Sequence, residues 1–199
     1  MKARLLRCYR RLLARFGPER SGTRRTPFEI TVAVILAPPG VESNAMAALR
    51  RARTLAPRRL ARMSERQIAA LARTAGVDRA KVRQLKTFTR WLVARHGRRF
   101  DTLRRAPLAF ARRELLALAG LAPETADAIL LYAANRPVFV ADAAARRALA
   151  RHGFRGARGS YDDARRFLEA HLPSDPALFR DFHRLLVKSG APHLEGTRR

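Results

Sequence analysis

The stretch that decides the reading is Leu115–Leu130, LLALAGLAPETADAIL. Leu115 and Leu118 stand one helical turn apart. Gly120, Leu121, Ala122 and Pro123 come next, and the apolar pattern resumes at Ala126, Ile129 and Leu130. This spacing predicts a helix–hairpin–helix: Gly120 makes the sharp turn, Leu121 plugs the pair, and Ala126 lets the second helix approach closely. Pro123 suits a first helical position, where its missing N–H costs nothing. Backbone N–H groups around Gly120, Leu121 and Ala122, with the open first turn of Pro123, Glu124 and Thr125, form a positive pocket suited to a phosphate oxygen. Such contacts position a nucleic acid without reading its sequence. An ordinary antiparallel helix pair also wants a glycine between its arms, so the hairpin alone leaves both readings open.

Outward from the hairpin, helical periodicity dominates and strand-like alternation is rare. Helices are predicted over 2–16, stopped by Gly17-Pro18, from Pro27 to about 36, and from about 42 to 53. The capping-box pattern Ser64-x-x-Gln67 starts one that runs to about Thr74, and Asp78 caps a long one that ends near His96. Residues 107–119 and 124–135 are the arms of the hairpin, and an extended stretch, Arg136–Asp142, comes after them. Helices over about 143–152, 161–171 (after a Ser160 cap) and 176–189 complete an all-α chain. Trp91, Phe88 and Leu92, at helical spacing, read as core, and the paired arginines 104–105, 112–113, 146–147 and 165–166 read as solvated helix faces, of which those near the hairpin or Asp142, Arg146 and Arg147 above all, are the candidates to touch DNA phosphates.

The charge balance points to a polyanion. The chain has 42 Lys+Arg against 16 Asp+Glu, a net charge of +26 and a pI near 11.9. Nucleic acid is the default partner of such an excess, with an anionic membrane second. The preference for Arg over Lys also fits the codon bias of a GC-rich genome, but codon bias does not create a surplus of base over acid. Cys8 is the one cysteine, which excludes an internal disulfide and any multi-cysteine zinc or iron–sulfur site. The five histidines (His96, His152, His171, His183, His193) show no metal-ligand spacing, so no metal or cofactor is expected. The longest uncharged run, Ile30 to Val41, is shorter than the roughly 20 residues of a membrane span. Residues 2–16 lack the apolar core of a secretory signal. A monomeric cytoplasmic protein, associated with the nucleoid, is the expectation.

The segment after the hairpin is more specific. Glu124–Arg147, ETADAILLYAANRPVFVADAAARR, closely resembles the endonuclease III-related branch of the helix–hairpin–helix (HhH-GPD) DNA glycosylases. That family runs from its hairpin into a Pro-x-Phe-Val-x-Asp turn, here Pro137 to Asp142, and then into a helix bearing arginines, here Arg146 and Arg147. Asp142 lies 18 residues after Glu124, the spacing the family keeps between its two catalytic positions. Weaker similarity covers Pro27–Leu36, Lys81–Leu85 and Phe182–Val187, so the resemblance extends over nearly the whole chain.

The resemblance implies a two-lobed fold, one lobe spanning 22–135 and the other joining 1–21 to 136–199, with double-stranded DNA across the cleft between them. It implies a hydrolase of DNA repair by base excision, with Asp142 as the catalytic carboxylate. Such a carboxylate stabilises the oxocarbenium-like sugar formed as an N-glycosidic bond breaks, and it orients the attacking water. Asp is also a favoured N-cap, and the two roles are compatible at the start of the helix after Asp142. Family members that cleave the strand use a lysine where this chain has Glu124. Base removal without lyase action is therefore implied, with an alkylated base as a candidate substrate. Relatives place a glutamine-bearing wedge where this chain reads Ala37-Pro38-Pro39-Gly40. Pro38, Pro39 and Tyr132 are candidates for the base pocket. The hairpin's usual second glycine is Ala122; if that site needs positive φ, alanine costs on the order of 1 kcal/mol. A diverged relative that binds DNA without catalysis is the alternative, and a basic helical protein that binds RNA is a third reading.

Overall fold

The computed structural model describes residues 1–18, 25–36, 41–96 and 100–190, and every regular element within them is helical. The chain divides into two units: Arg24–Asn135, and Met1–Thr23 together with Arg136–Arg199.

In the first unit, α2 (Pro27–Leu36) is apolar on nearly every side, so it becomes an interior helix. It packs on α3 (Val41–Arg51), on α6 (Arg79–His96) and on residues 129–133. Local signals set most helix starts. Ser64 and Gln67 form the reciprocal capping box of α5 (Glu65–Ala72), and the Asp78 carboxylate accepts the Lys81 N–H at 2.8 Å at the start of α6. Phe88 and Leu92 are fully buried, and the Phe88 ring meets Trp91 at 5.7 Å and Phe100 at 6.2 Å, a core cluster.

Two helices have no counterpart in the sequence reading, α4 (Pro57–Arg62) and α7 (Asp101–Arg105). Elements this short carry no readable 3.6-residue period. The ammonium of Lys86 ties α4 to α6 by donating to the carbonyls of Ala61 and Met63. The first arm of the hairpin, α8 (Leu108–Leu116), ends three residues before the expected Ala119, because Leu118 already turns back to the Leu115 carbonyl. The second arm is not one uniform helix. α9 (Pro123–Ala128) widens into a π turn over Ile129–Ala133, where the Ala134 N–H reaches the Ile129 carbonyl at 3.0 Å. Asn135, at φ 56°, then ends it.

The second unit is built from α1 (Lys2–Phe16), α10 (Ala143–Arg151), α11 (Tyr161–His171) and α12 (Pro176–Gly190), with α12 packed on both α1 and α10. The extended run before α10 is its plug: Val138, Phe139, Val140 and Ala141 are all buried. The Phe139 ring lies 5.3 Å from Phe179 and 6.0 Å from Phe182, and Tyr9 meets Phe182 at 5.6 Å. A buried extended segment needs partners for its N–H groups. Glu169 accepts the Phe139 N–H at 2.8 Å while Arg165 holds its other oxygen at 2.7 Å. Arg165 is therefore not on the solvated face read from the sequence; its side chain is 15 % exposed and bridges Asp162 and Glu169.

Candidate functional site

The hairpin turns at Gly120, whose φ of +82° is a left-handed value that favours glycine. The Gly120 carbonyl accepts a 2.7 Å hydrogen bond from the side-chain amide of Gln84, which fastens the turn to α6. Leu121 is buried and its N–H already donates to the Leu118 carbonyl at 3.0 Å, so, against the sequence reading, it is not free for a phosphate; Ala126 is fully buried where the arms meet. Ala122 sits at φ −70°, ψ 153°, ordinary extended backbone and the N-cap of α9. The strain that a required positive φ would bring is therefore absent, since Gly120 alone makes the left-handed turn. Pro123 fills the first helical position, and Ala122, Pro123 and Glu124 are exposed with Thr125 half-buried. The N–H groups of Glu124 and Thr125 lie in a first turn and so have no intrahelical acceptor.

The hairpin also holds a buried ion pair that its sequence does not announce. Asp127, fully buried, receives two parallel hydrogen bonds from Arg112, 2.8 Å from Nε to Oδ1 and 3.1 Å from Nη2 to Oδ2. This bidentate pair links the two arms. Arg112, read as solvated, is 18 % exposed and serves the structure of the hairpin. The one available signal is an aspartate on the apolar side of the second arm, between Ala126 and Ile129.

Asp142 lies in the other unit, at the N-cap of α10, where its Oδ1 accepts the Ala145 N–H at 2.7 Å. Its other oxygen faces His183 Nε2 of α12 at 3.2 Å. The Asp142 side chain is 33 % exposed and that of His183 12 %. Burial raises the Asp142 pKa, but the hydrogen bond and charge of His183 and the N–H groups of Ala145 and Ala144 outweigh it, and the carboxyl is held below its usual value. At neutral pH it is a carboxylate, able to accept a proton or stabilise a cation but not to act as an acid. A carboxylate accepts at about four lone-pair positions, so these partners leave capacity for a water or a developing positive charge. His183 is the residue that sequence spacing missed, 41 positions from its partner.

The remaining candidates are dispersed. On α10, Arg147 is exposed, whereas half-buried Arg146 donates from Nη1 to the Gly159 carbonyl at 3.1 Å. Tyr132 is half-buried in the π turn of the hairpin's second arm. Pro38 and Pro39 lie outside the described residues. Among the described residues no helix is long and apolar enough to cross a membrane.

An all-helical chain with a glycine-turned hairpin and an aspartate that caps a helix at the end of an extended Pro-x-Phe-Val-x-Asp run defines a recognisable class. Residues 3–174 match the HhH-GPD superfamily of base excision DNA repair proteins, and the chain belongs to that family. A candidate DNA repair glycosylase of Methanocaldococcus jannaschii is 29 % identical over 188 residues, covering 92 % of this chain and 86 % of that protein. Among solved structures, the 3-methyladenine DNA glycosylase of H. pylori superposes with a TM-score of 0.76 at 19 % identity, covering 92 % of this chain and 95 % of that one. A DNA-bound covalent intermediate of endonuclease III gives 0.73 at 19 % identity, with coverage of 94 % and 84 %. A thermostable thymine-DNA glycosylase gives 0.73 at 18 % identity, with coverage of 96 % and 90 %.

Proposed function

We propose that the protein is a monofunctional DNA glycosylase that acts as a monomer on double-stranded DNA and hydrolyses the N-glycosidic bond of a damaged base. The observation that carries this reading is Asp142, an ionised, partly exposed carboxylate held at both oxygens by its own unit. Breaking the glycosidic bond builds positive charge on the sugar, and a pre-placed carboxylate stabilises that charge and takes a proton from the incoming water. The hairpin serves as the phosphate grip, through N–H groups that Gly120 and Ala122 present. Glu124 offers no amine, so no Schiff base forms and the abasic site is left intact. The H. pylori protein's activity on 3-methyladenine favours an alkylated base as substrate.

A second reading, a DNA binder without catalysis, is favoured by Ala37-Pro38-Pro39-Gly40, which stands where relatives carry a glutamine wedge. Duplexes carrying single alkylated, oxidised or deaminated bases separate the two. The proposal expects release of free base from at least one of them, with strand breaks appearing only after alkali. Breaks without alkali contradict monofunctional action. Binding to all duplexes without release from any establishes the second reading.

A further inference from the structure

On α1, Arg4, Arg7 and Arg11 follow one another at spacings of three and four residues, which place them along one side of the helix, with Cys8 four residues after Arg4 and three before Arg11. With His152 and Phe154, from the turn after α10, they line a pocket of about 270 Å³. Two of its lining residues, Cys8 and Phe154, are buried, at 8 % and 2 % exposure. Arg4 is fixed in place: its guanidinium lies 4.9 Å over the Phe154 ring and donates to the Gly153 carbonyl at 3.1 Å. Gly153 makes room for it, because a Cβ there would fall 2.9 Å from Arg4 Nη2.

Among the described residues, no acidic side chain lines this pocket. Other arginines are paired with acids, as in Arg50–Glu29 at 2.9 Å, Arg95–Glu114 at 3.2 Å and Arg166–Asp163 at 2.8 Å. Burial first, and then the charges of Arg11 and Arg151, hold His152 toward its neutral form. Three guanidiniums around one pocket, with no acid among its described lining residues, attract an anion. Their forked donors match phosphate oxygens better than they match a small spherical anion.

We propose that the Arg4–Arg7–Arg11 pocket is a phosphate-binding site, taking the phosphate of a free nucleotide or of a nucleic-acid strand. The site owes nothing to the hairpin or to Asp142, so it stands whether or not base excision is the protein's activity.

Cys8 is the chain's one cysteine and reports directly on the pocket. Its rate of reaction with a neutral disulfide, 4,4′-dithiodipyridine, is measured at constant ionic strength. The measurement is made alone, with a deoxynucleoside 5′-monophosphate and with a short duplex. The expected result is at least a fivefold slowing that the double variant Arg7→Gln/Arg11→Gln reduces below twofold. Slowing by the monophosphate assigns a free nucleotide as ligand, and slowing by the duplex alone assigns a strand phosphate. No slowing by either, or equal slowing in the double variant, overturns the proposal. Both replaced side chains are exposed and glutamine is a good helix former, so α1 should persist. The amide signals of Gly153 and Phe154 in wild-type protein, titrated with the same two ligands, test the site without any variant. They should shift saturably with at least one ligand, and unmoved signals with both overturn the proposal.

Discussion

The hairpin and the Asp142 turn use polar groups in opposite ways. In the hairpin, side chains serve the backbone: Gln84 fastens the Gly120 carbonyl and Arg112 with Asp127 locks the arms, which fixes the N–H groups of the turn in place. At Asp142 the backbone serves a side chain: the N–H of Ala145 orients one carboxylate oxygen, and His183 holds the other. The first region needs rigidity, and the identity of its outermost side chains matters little. The second depends on one functional group and its charge. Substitutions in the two regions should therefore separate stability from chemistry.

The largest expected effect on stability is in the hairpin. Asp127→Ala leaves Arg112 beside an emptied interior site, and removing one partner of a buried ion pair typically costs about 3–5 kcal/mol. Urea unfolding should show a loss of that size. A loss under about 1 kcal/mol would mean that the pair does not hold the arms together.

Next comes His183→Ala, which should change chemistry more than folding. A hydrogen bond to a charged group is worth about 1.5–3 kcal/mol, so base release should slow by roughly tenfold to a hundredfold. The sign of the pH effect comes from the depressed pKa of Asp142. Its stabilising contribution is fully present above the ordinary carboxylate pKa and disappears as pH falls through the lowered folded value. Removing His183 takes away its lowering effect and the pKa rises from its folded value, so the acid limb of the pH–rate profile should move to higher pH. Partial recovery with His183→Gln would tie the effect to the hydrogen bond, and an unmoved limb would exclude it.

The smallest effects are a matched pair. Gly120→Ala forces alanine to φ +82°, which costs on the order of 1 kcal/mol and should weaken DNA binding. Ala122→Gly, at an extended position, should cost less than about 1 kcal/mol, through the unfolded chain, and bring no gain in affinity. Tighter binding by Ala122→Gly would show that the hairpin needs a second glycine after all.

Legibility in the sequence depended on the range of each interaction. Caps at Ser64, Asp78 and Ser160 and the stop at Gly17 were readable because all their parts lie within a few residues. The all-α class and the hairpin arms were readable from periodicity. α4 and α7 were too short to show a period, and the π turn at Ile129–Ala133 hid in a continuous apolar run that a regular helix would equally use. The pairs Arg112–Asp127 and Asp142–His183 join residues 15 and 41 positions apart, and no local rule connects them. The placement of Asp142 at a helix start was visible, but the imidazole that steadies it was not.

If the Asp142 carboxylate drives base removal while the hairpin grips DNA, as proposed, Asp142→Asn separates the two. Asparagine keeps the shape and a cap oxygen for the Ala145 N–H but loses the charge. Single-turnover release of the preferred base should fall at least a thousandfold, while affinity for the same duplex stays within about threefold. Retained base release in Asp142→Asn, or binding lost along with it, would rule out this division of labour between Asp142 and the hairpin.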